Sequence, residues 1–263
     1  MQIGQVDIRF LKIPFNVIFR HASAEHHTTS SIWLEARDAS GLLGLGECCP
    51  RPYVTGETLQ GAAAFIDSQL AAVKRDVQDL GSLLAWVSAH APDIDRNPAA
   101  WCALELALLD LLAREQRQSV EALLGLPEIR GPFCYTSVLG DADLRIFTAQ
   151  LERYRHSGFS DFKVKLSGRL GHDRDKLARF RGDGREGLTL RLDANNLWDD
   201  WRVAADYLRE LPGPFTGMEE PLAVNDYSGM ECLYRETGIP VILDESLLCA
   251  GQIAGLAESV DWR

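Results

Sequence analysis

The chain has 263 residues, an apolar content of 46% and a charged content of 25%, which are typical of a globular protein with one large or two smaller domains. Its net charge of −11 argues against a broad surface for nucleic acid, because such surfaces are usually basic. The N-terminus lacks a basic segment before an apolar core, and no run approaches about 18 apolar residues. We therefore expect a cytoplasmic protein with no signal peptide, membrane span or membrane partner.

The first part of the chain has the pattern of a three-stranded meander. Short alternating stretches predict strands, and Asp38-Ala39-Ser40-Gly41 between the second and third predicts a hairpin turn. The predicted strands are residues 3–13, 30–38 and 42–48. Residues 19–28 have no clear period and are predicted to be a polar loop. Residues 50–57 form a second loop, which two prolines stiffen.

Helical patterns follow the meander. Residues 58–74 carry apolar side chains at helical spacing, and Asn97-Pro98 is typical of an N-cap followed by proline at the first helical position. The helix that it begins, at about 98–116, is rich in Ala and Leu. Strands followed by helices indicate a small α+β domain, which we place at residues 1–131.

From Cys134 onward, short apolar strands alternate with helices, which indicates parallel βα units. The predicted strands are 133–139, 161–166, 188–193, 215–219 and 239–244. The predicted helices are 142–157, 172–181, 199–210, 225–237 and 247–257. Residues 260–263 could open a sixth strand, whereas a closed barrel has eight. The predicted fold of residues 132–263 is therefore an incomplete (β/α) TIM-like barrel of five to six strands within an α/β protein.

The six cysteines include no CxxC pair. Cys102 and Cys134 lie in apolar runs, and adjacent Cys48 and Cys49 rarely pair with each other. We expect buried free thiols in a reducing compartment.

Four short polar motifs follow the predicted strands of the barrel. They contain Lys163 and Lys165, then Asp193, Glu219 and Asp244, and the steps from Lys165 to Asp193, to Glu219 and to Asp244 are 28, 26 and 25 residues. A βα unit of a barrel takes about 30 residues, so successive strands should deliver these side chains to one face.

Asp193, Glu219 and Asp244 form an oxygen-rich set of the kind that Mg²⁺ prefers. Any one of them alone would more often be a helix cap or a solvated loop residue. Three in phase with the repeat favour a single divalent cation, because three converging carboxylates without a cation would repel one another.

Lys163 and Lys165 are two residues apart on a strand, so their side chains lie on the same face. Two neighbouring ammonium groups should lower each other's pKa and provide a base near pH 7. The alternative is a pair of solvated lysines, which the apolar neighbours Phe162, Val164 and Leu166 argue against. A base beside a divalent cation suits removal of a proton α to a carboxylate.

The motifs KVK, DAN, EEP and DES, after an α+β domain containing GLGECCPRPYVTGET, resemble the enolase superfamily. The resemblance is strongest to its muconate-lactonizing, o-succinylbenzoate synthase and dipeptide epimerase subgroup, and it covers essentially the whole chain. It implies a capping domain on a modified barrel, and a lyase or isomerase that acts on a small carboxylate by cycloisomerase, dehydratase or epimerase chemistry.

The resemblance also implies roles for particular residues. Lys165 would transfer the proton beside Lys163, and Mg²⁺ would be held by Asp193, Glu219 and Asp244. Three further side chains would lie around the metal without binding it: Asn195, Glu220 and Glu245. Capping-domain loops 19–29 and 50–57 would select the substrate, with Phe19, His21, Arg51, Tyr53 and Thr55 as candidates.

One feature departs from the subgroup. Its members carry a further lysine on the sixth barrel strand, and the repeat places that position beyond Arg263. Two hypotheses therefore stay open: an enzyme whose remaining strands come from a longer chain or another subunit, and a truncated, catalytically impaired relative retained for ligand binding or assembly. Open sheet edges would also leave residues such as Val164 and Leu192 short of packing, so we expect homo-oligomers or strand-edge association.

Overall fold

The computed structural model describes residues 2–21, 24–181 and 188–263, except for the side chains of residues 16–26. The chain divides into two compact units, Met1–Gly131 and Pro132–Arg263. Within the described ranges, no helix is long and apolar enough to cross a membrane.

The first unit contains an antiparallel sheet in the order β1-β2-β3. Its strands are β1 (Ile3–His21), β2 (Ala24–Asp38) and β3 (Leu43–Cys48). Ile32, Leu34 and Ala36 alternate along β2, and all three are fully buried in the core of this unit. The period-2 pattern therefore places one face of the sheet against the helices. The hairpin turn forms as predicted, since Gly41 N donates to Asp38 O at 3.1 Å.

The prediction of a loop at residues 19–28 is wrong where the backbone is described. β1 continues to His21 and β2 begins at Ala24, with Phe19 opposite His26. The side chains in the preceding stretch, Lys12 to Phe15, are exposed. Apolar alternation marks a strand only where one face packs on a core, so an exposed hairpin arm escapes detection by its period.

Four helices follow in the described part of the first unit: α1 (Leu59–Asp76), α2 (Leu80–Asp95), α3 (Pro98–Glu115) and α4 (Val120–Leu123). Helix α2 is absent from the sequence-based expectations because Gly81 and Pro92 interrupt its pattern. Helix α3 begins at the expected position but without a side-chain cap from Asn97. The Glu57 carboxylate caps it instead, accepting from Ala99 N at 2.8 Å and Ala100 N at 2.9 Å.

Strand β3 lies directly on helix α3. A Cβ on Gly46 would lie 1.9 Å from the carbonyl oxygen of Ala103, so only glycine allows this contact.

The second unit is a parallel sheet in the order β4-β5-β6-β7-β8 with helices between its strands, as the sequence predicts. The strands are β4 (Ser137–Leu139), β5 (Asp161–Lys165), β6 (Thr189–Asp193), β7 (Gly217–Glu219) and β8 (Val241–Ile242). The helices are α5 (Leu144–His156), α6 (Leu170–Ala178), α7 (Trp201–Arg209), α8 (Tyr227–Thr237) and a 3₁₀ turn at Ala250–Gly255. A parallel bridge between Val241 and Trp262 begins a sixth position in the sheet.

One face of this sheet is packed under the helices. Val164 and Leu192 are fully buried in a cluster with Phe147 of α5 and Leu177 of α6. The expectation that Val164 and Leu192 lack packing is therefore wrong. Strand parity turns them toward the helices, and the residues that alternate with them face the other way.

The expectation of buried thiols is also wrong for three positions. Cys49, Cys102 and Cys134 are exposed, Cys232 and Cys249 are half-buried, and Cys48 is buried. In α3, Trp101 and Ala103 on either side of Cys102 are buried, yet a helix turns about 100° per residue and Cys102 lies on the outer side.

Candidate metal and proton-transfer site

The C-terminal ends of β5, β6 and β7 bring the predicted polar side chains together. The sheet register pairs Lys165 with Asp193 and Asp193 with Glu219. All three residues end their strands, and Lys163 lies two positions before Lys165 on the same face. Three consecutive βα units therefore deliver two ammonium groups and two carboxylates to one edge of the sheet.

Asp193 is the centre of this group. Its carboxylate is 1% exposed, and its Oδ2 lies 2.8 Å from Lys165 Nζ and 3.1 Å from Lys163 Nζ. Lys163 Nζ also donates to Glu219 Oε1 at 2.5 Å. Lys165 Nζ donates to Asn195 Oδ1 at 2.7 Å. Each lysine thus has two oxygen partners, and those partners fix the position of its nitrogen.

The charge balance of this site raises the pKa of Lys163. Burial lowers that pKa, but Asp193 and Glu219 act in the opposite direction, and the net change is upward from 10.5. The prediction of a lowered pKa is therefore wrong for Lys163 in this structure. The reason is that its nearest charges are carboxylates, which stabilise the ammonium form.

The carboxylates of the site carry an excess of negative charge. Burial raises the pKa of Glu219, and the charges of Asp193 and Asp244 raise it further against the hydrogen bond from Lys163. Burial also raises the pKa of Glu245, with Asp244, Glu220 and Asp193 adding to the effect. Three acids, Asp193, Asp244 and Glu220, are thus close enough to Glu219 or Glu245 to repel them. Two lysines face this group of five acids.

Glu220 joins the loops that follow three strands. It is fully buried, and its Oε1 accepts from Asp244 N at 2.7 Å and from Ser246 N at 2.8 Å. Its Oε2 accepts from Ser246 Oγ at 2.8 Å and from Asn196 Nδ2 at 3.3 Å. The backbone of Glu220 has a φ of 39°, a left-handed conformation that these contacts hold in place.

The oxygen donors of this site suit a divalent cation. Among the described residues, no group of three or more His, Cys, Asp or Glu side chains encloses a common metal position. Asp193 and Glu219 are paired with Lys163, and the side chain of Asp244 is exposed. A set of carboxylates with excess negative charge and no soft ligand is nevertheless the chemistry that Mg²⁺ requires.

Two contributions to this region escape sequence reasoning. Arg191 lies two residues before Asp193 on β6 and therefore on the same face. Its guanidinium donates to Thr136 Oγ1 and lies 3.3 Å from Asp161 Oδ1. Ser246 is fully buried against Glu220. Strand parity is the signal that could have placed Arg191, whereas the DES motif contains Ser246 but does not show that its hydroxyl contacts Glu220.

The capping-domain candidates lie in the first unit. Arg51 and Tyr53 line a cavity of about 640 Å³ with Phe15 and residues 28–30. Arg51 is anchored there, donating to Thr29 Oγ1 at 2.8 Å and Ser30 O at 3.2 Å. Thr55 does not line this cavity, and its amide donates to Arg51 O at 3.0 Å. The side chains of Phe19 and His21 lie outside the described residues.

Two family descriptions match the chain. The mandelate racemase / muconate lactonizing enzyme N-terminal domain matches residues 8–125, and the enolase C-terminal domain-like description matches residues 147–260. The chain therefore belongs to the mandelate racemase/muconate lactonizing enzyme family of the enolase superfamily, and the resemblance seen in the motifs is confirmed.

Two of the similar proteins are epimerases. The L-Lys-D/L-Arg epimerase of Methylococcus capsulatus is 29% identical, over 98% of this chain and 71% of the relative. The aromatic dipeptide epimerase of Herpetosiphon aurantiacus is also 29% identical, over 97% and 71%. A dipeptide epimerase structure from Methylococcus capsulatus, complexed with Mg and the dipeptide L-Arg-D-Lys, is 25% identical with a TM-score of 0.80, over 98% of this chain and 72% of that one.

Proposed function

We propose that this chain is an Mg²⁺-dependent lyase or isomerase that removes the α-proton of a small carboxylate. The observation that carries the proposal is the position of Lys165, whose nitrogen lies at the strand edge between Asp193 and Asn195. A base for a carbon acid must be held within reach of the proton and beside a group that stabilises the developing charge.

Lys165 is the group that takes the proton in this proposal. An amine accepts a proton in its neutral form, so its ammonium proton must leave before each turnover. Asn195 Oδ1 orients the nitrogen through a neutral hydrogen bond, which persists whether or not Lys165 is charged. Lys163 is its electrostatic neighbour, and it also neutralises part of the charge of Asp193 and Glu219.

Asp193, Glu219 and Asp244 are the residues that would hold Mg²⁺, with Asn195, Glu220 and Glu245 around them. A bound divalent cation would stabilise the negative charge that develops on the substrate carboxylate as the proton leaves. Glu220 contributes by position, because its hydrogen bond to Asp244 N fixes the loop that carries the third ligand.

Dipeptides are the substrate class that the named relatives favour, since both are dipeptide-type epimerases. Residues 19–29 and 50–57 would then select the substrate, as the family resemblance implies. The anchored side chain of Arg51 and the neighbouring Tyr53 are the described candidates for that role.

A second candidate function is ligand binding without turnover. It is favoured by one observation, that the ammonium groups of Lys163 and Lys165 both pair with the carboxylate of Asp193. Neither lysine is therefore a free amine in this arrangement.

The experiment is deuterium incorporation into a panel of dipeptides in heavy water with Mg²⁺. We expect the wild type to exchange the α-proton with retention of configuration, since its base lies on one face. Lys165→Ala should abolish exchange and Lys163→Ala should weaken it, while Lys12→Ala, at an exposed position in the first unit, should leave it unchanged.

Unchanged exchange in Lys165→Ala would remove that lysine from the mechanism. Racemisation by the 263-residue chain alone would contradict exchange on one face. Dipeptide binding with no exchange in the wild type would favour the second candidate.

A further inference from the structure

A buried ion pair lies next to the proton-transfer site but is not part of it. Asp173 and Lys176 of helix α6 are both fully buried, and Lys176 Nζ lies 2.8 Å from Asp173 Oδ1. Lys176 Nζ is also 3.2 Å from Asp141 Oδ1. Replacing a buried ion pair with apolar residues is often neutral or stabilising, so stability alone does not account for this pair.

The ion pair reaches the main chain at the end of β5. Lys176 Nζ donates to the carbonyl oxygen of Lys165 at 2.8 Å. Asp173 accepts from Ser167 N at 3.0 Å and from Ser167 Oγ at 2.9 Å. The two charged side chains thus hold the peptide groups on both sides of Leu166.

These contacts lie at the end of the sheet ladder. Leu166 N still pairs with β6, donating to Asp193 O at 2.8 Å. The register with β4, on the other side of β5, ends at Leu139 opposite Val164. Lys176 and Asp173 hold the carbonyl of Lys165 and the amide of Ser167, where the register with β4 has ended.

A second helix, α7, also contacts the ion pair. Tyr207 of α7 donates its hydroxyl to Asp173 Oδ2 at 2.6 Å. Burial opposes the charge of Asp173, but the hydrogen bonds from Lys176 and Tyr207 hold its pKa below the ordinary value. Asp173 is therefore a carboxylate in the folded protein, and it is able to accept from Ser167 and Tyr207 together.

We propose that Asp173 and Lys176 are positioning residues for Lys165: they clamp the peptides after β5 and so fix the point from which the Lys165 side chain reaches Asp193 and Asn195. This proposal rests on the function proposed above. Misplacing a reacting group by 1 Å costs up to about 100-fold in rate, so a clamp on the backbone has a measurable effect.

The test compares two variants that each remove a buried helical cation. Asp173→Asn/Lys176→Met removes both charges while keeping the side-chain volume close to the original. Arg155→Met is the matched control, because Arg155 of α5 is 8% exposed and donates to a backbone carbonyl, that of Arg179, at 2.9 Å. Amide hydrogen exchange at Leu166 and Ser167 and α-proton exchange of a dipeptide are measured in both proteins.

In the double variant, we expect amide protection at Ser167 to fall about 10-fold or more relative to distant core amides. Leu166 should lose less, because its amide keeps the hydrogen bond to Asp193 O. The α-proton exchange rate at saturating substrate should fall about 10- to 100-fold, with the Kd of the dipeptide changed by less than about threefold. Arg155→Met should change neither local protection nor rate. If the double variant does not fold, Tyr207→Phe should give a smaller local loss at the same two amides.

Protection at Ser167 that is unchanged, or that falls equally throughout the second unit, would overturn the proposal. So would a rate loss of the same size in Arg155→Met. If the wild type exchanges no α-proton, the proposed function has failed, and the amide measurement still decides whether the clamp exists.

Discussion

Replacing Lys163 with methionine removes the ammonium that Asp193 and Glu219 share. The nitrogen lies 3.1 Å from Asp193 Oδ2 and 2.5 Å from Glu219 Oε1, and the lysine side chain is 20% exposed. Hydrogen bonds to charged groups contribute about 1.5–3 kcal/mol each, and partial exposure reduces this contribution. We expect the free energy of unfolding to fall by about 2 kcal/mol in chelator, because the ammonium between Asp193 and Glu219 is lost and Lys165 remains beside Asp193 alone.

Saturating Mg²⁺ should reduce the difference in unfolding free energy between the wild type and Lys163→Met. Ligand at 100 times its Kd stabilises a protein by about 2.7 kcal/mol. In the wild type the cation competes with Lys163 for carboxylate oxygens, whereas in Lys163→Met it replaces the missing charge. The variant should therefore gain more from Mg²⁺ than the wild type does.

Thermal unfolding in chelator and in magnesium chloride measures this effect, with sodium chloride matching the ionic strength. A loss of about 2 kcal/mol corresponds to a Tm lower by about 4–8 °C for a chain of this size. Lys12→Met, at an exposed position, is the control and should match the wild type in both buffers. A difference between Lys163→Met and wild type that stays constant or widens with Mg²⁺ would refute the reasoning.

Three further predictions concern other parts of the chain. Burial raises the pKa of Cys48 from 9.0 to about 12, so its stabilising effect is complete below pH 9 and is lost between pH 9 and 12; Cys48→Ala should flatten the unfolding free energy over that range, whereas an unchanged slope would count against it. Glu220→Gln should lower the free energy of unfolding by about 2–4 kcal/mol, because the buried donors Asp244 N and Ser246 N lose a charged acceptor. Glu210→Gln, at an exposed position, is the control. Strand β4 is an edge of the described sheet and carries exposed Val138, so light scattering should detect association that Val138→Lys reduces; a stable monomer in both proteins would contradict this.

The site could be predicted to the extent that it follows from strand periodicity. The spacing from Lys165 to Asp193 and Glu219 equals one βα unit, and the parallel register then places these residues side by side. The two-residue step from Lys163 to Lys165 fixes their shared face in the same way. Local spacing and sheet geometry agree here, so no long-range information is needed.

Features that depend on contacts between distant segments could not be predicted. Asp173 continues the helical spacing of Leu170, Leu177 and Phe180, and its charge conceals the fact that this face is buried. Its partner Tyr207 is 34 residues away, and sequence pattern alone does not pair them. The predicted direction of the Lys163 pKa shift is wrong for the same reason. The carboxylates that raise this pKa come from β6 and β7.

Titration calorimetry of Mg²⁺ into the wild type, Asp193→Asn and Asp244→Asn tests most directly whether this strand edge is a metal site. We predict one binding site in the wild type and an affinity at least about 10-fold lower in each variant, because each loses a negatively charged oxygen ligand. The effect should be larger for Asp193→Asn, whose carboxylate is 1% exposed and lies at the centre of the group. Equal affinity in all three proteins would contradict the assignment of these carboxylates to Mg²⁺.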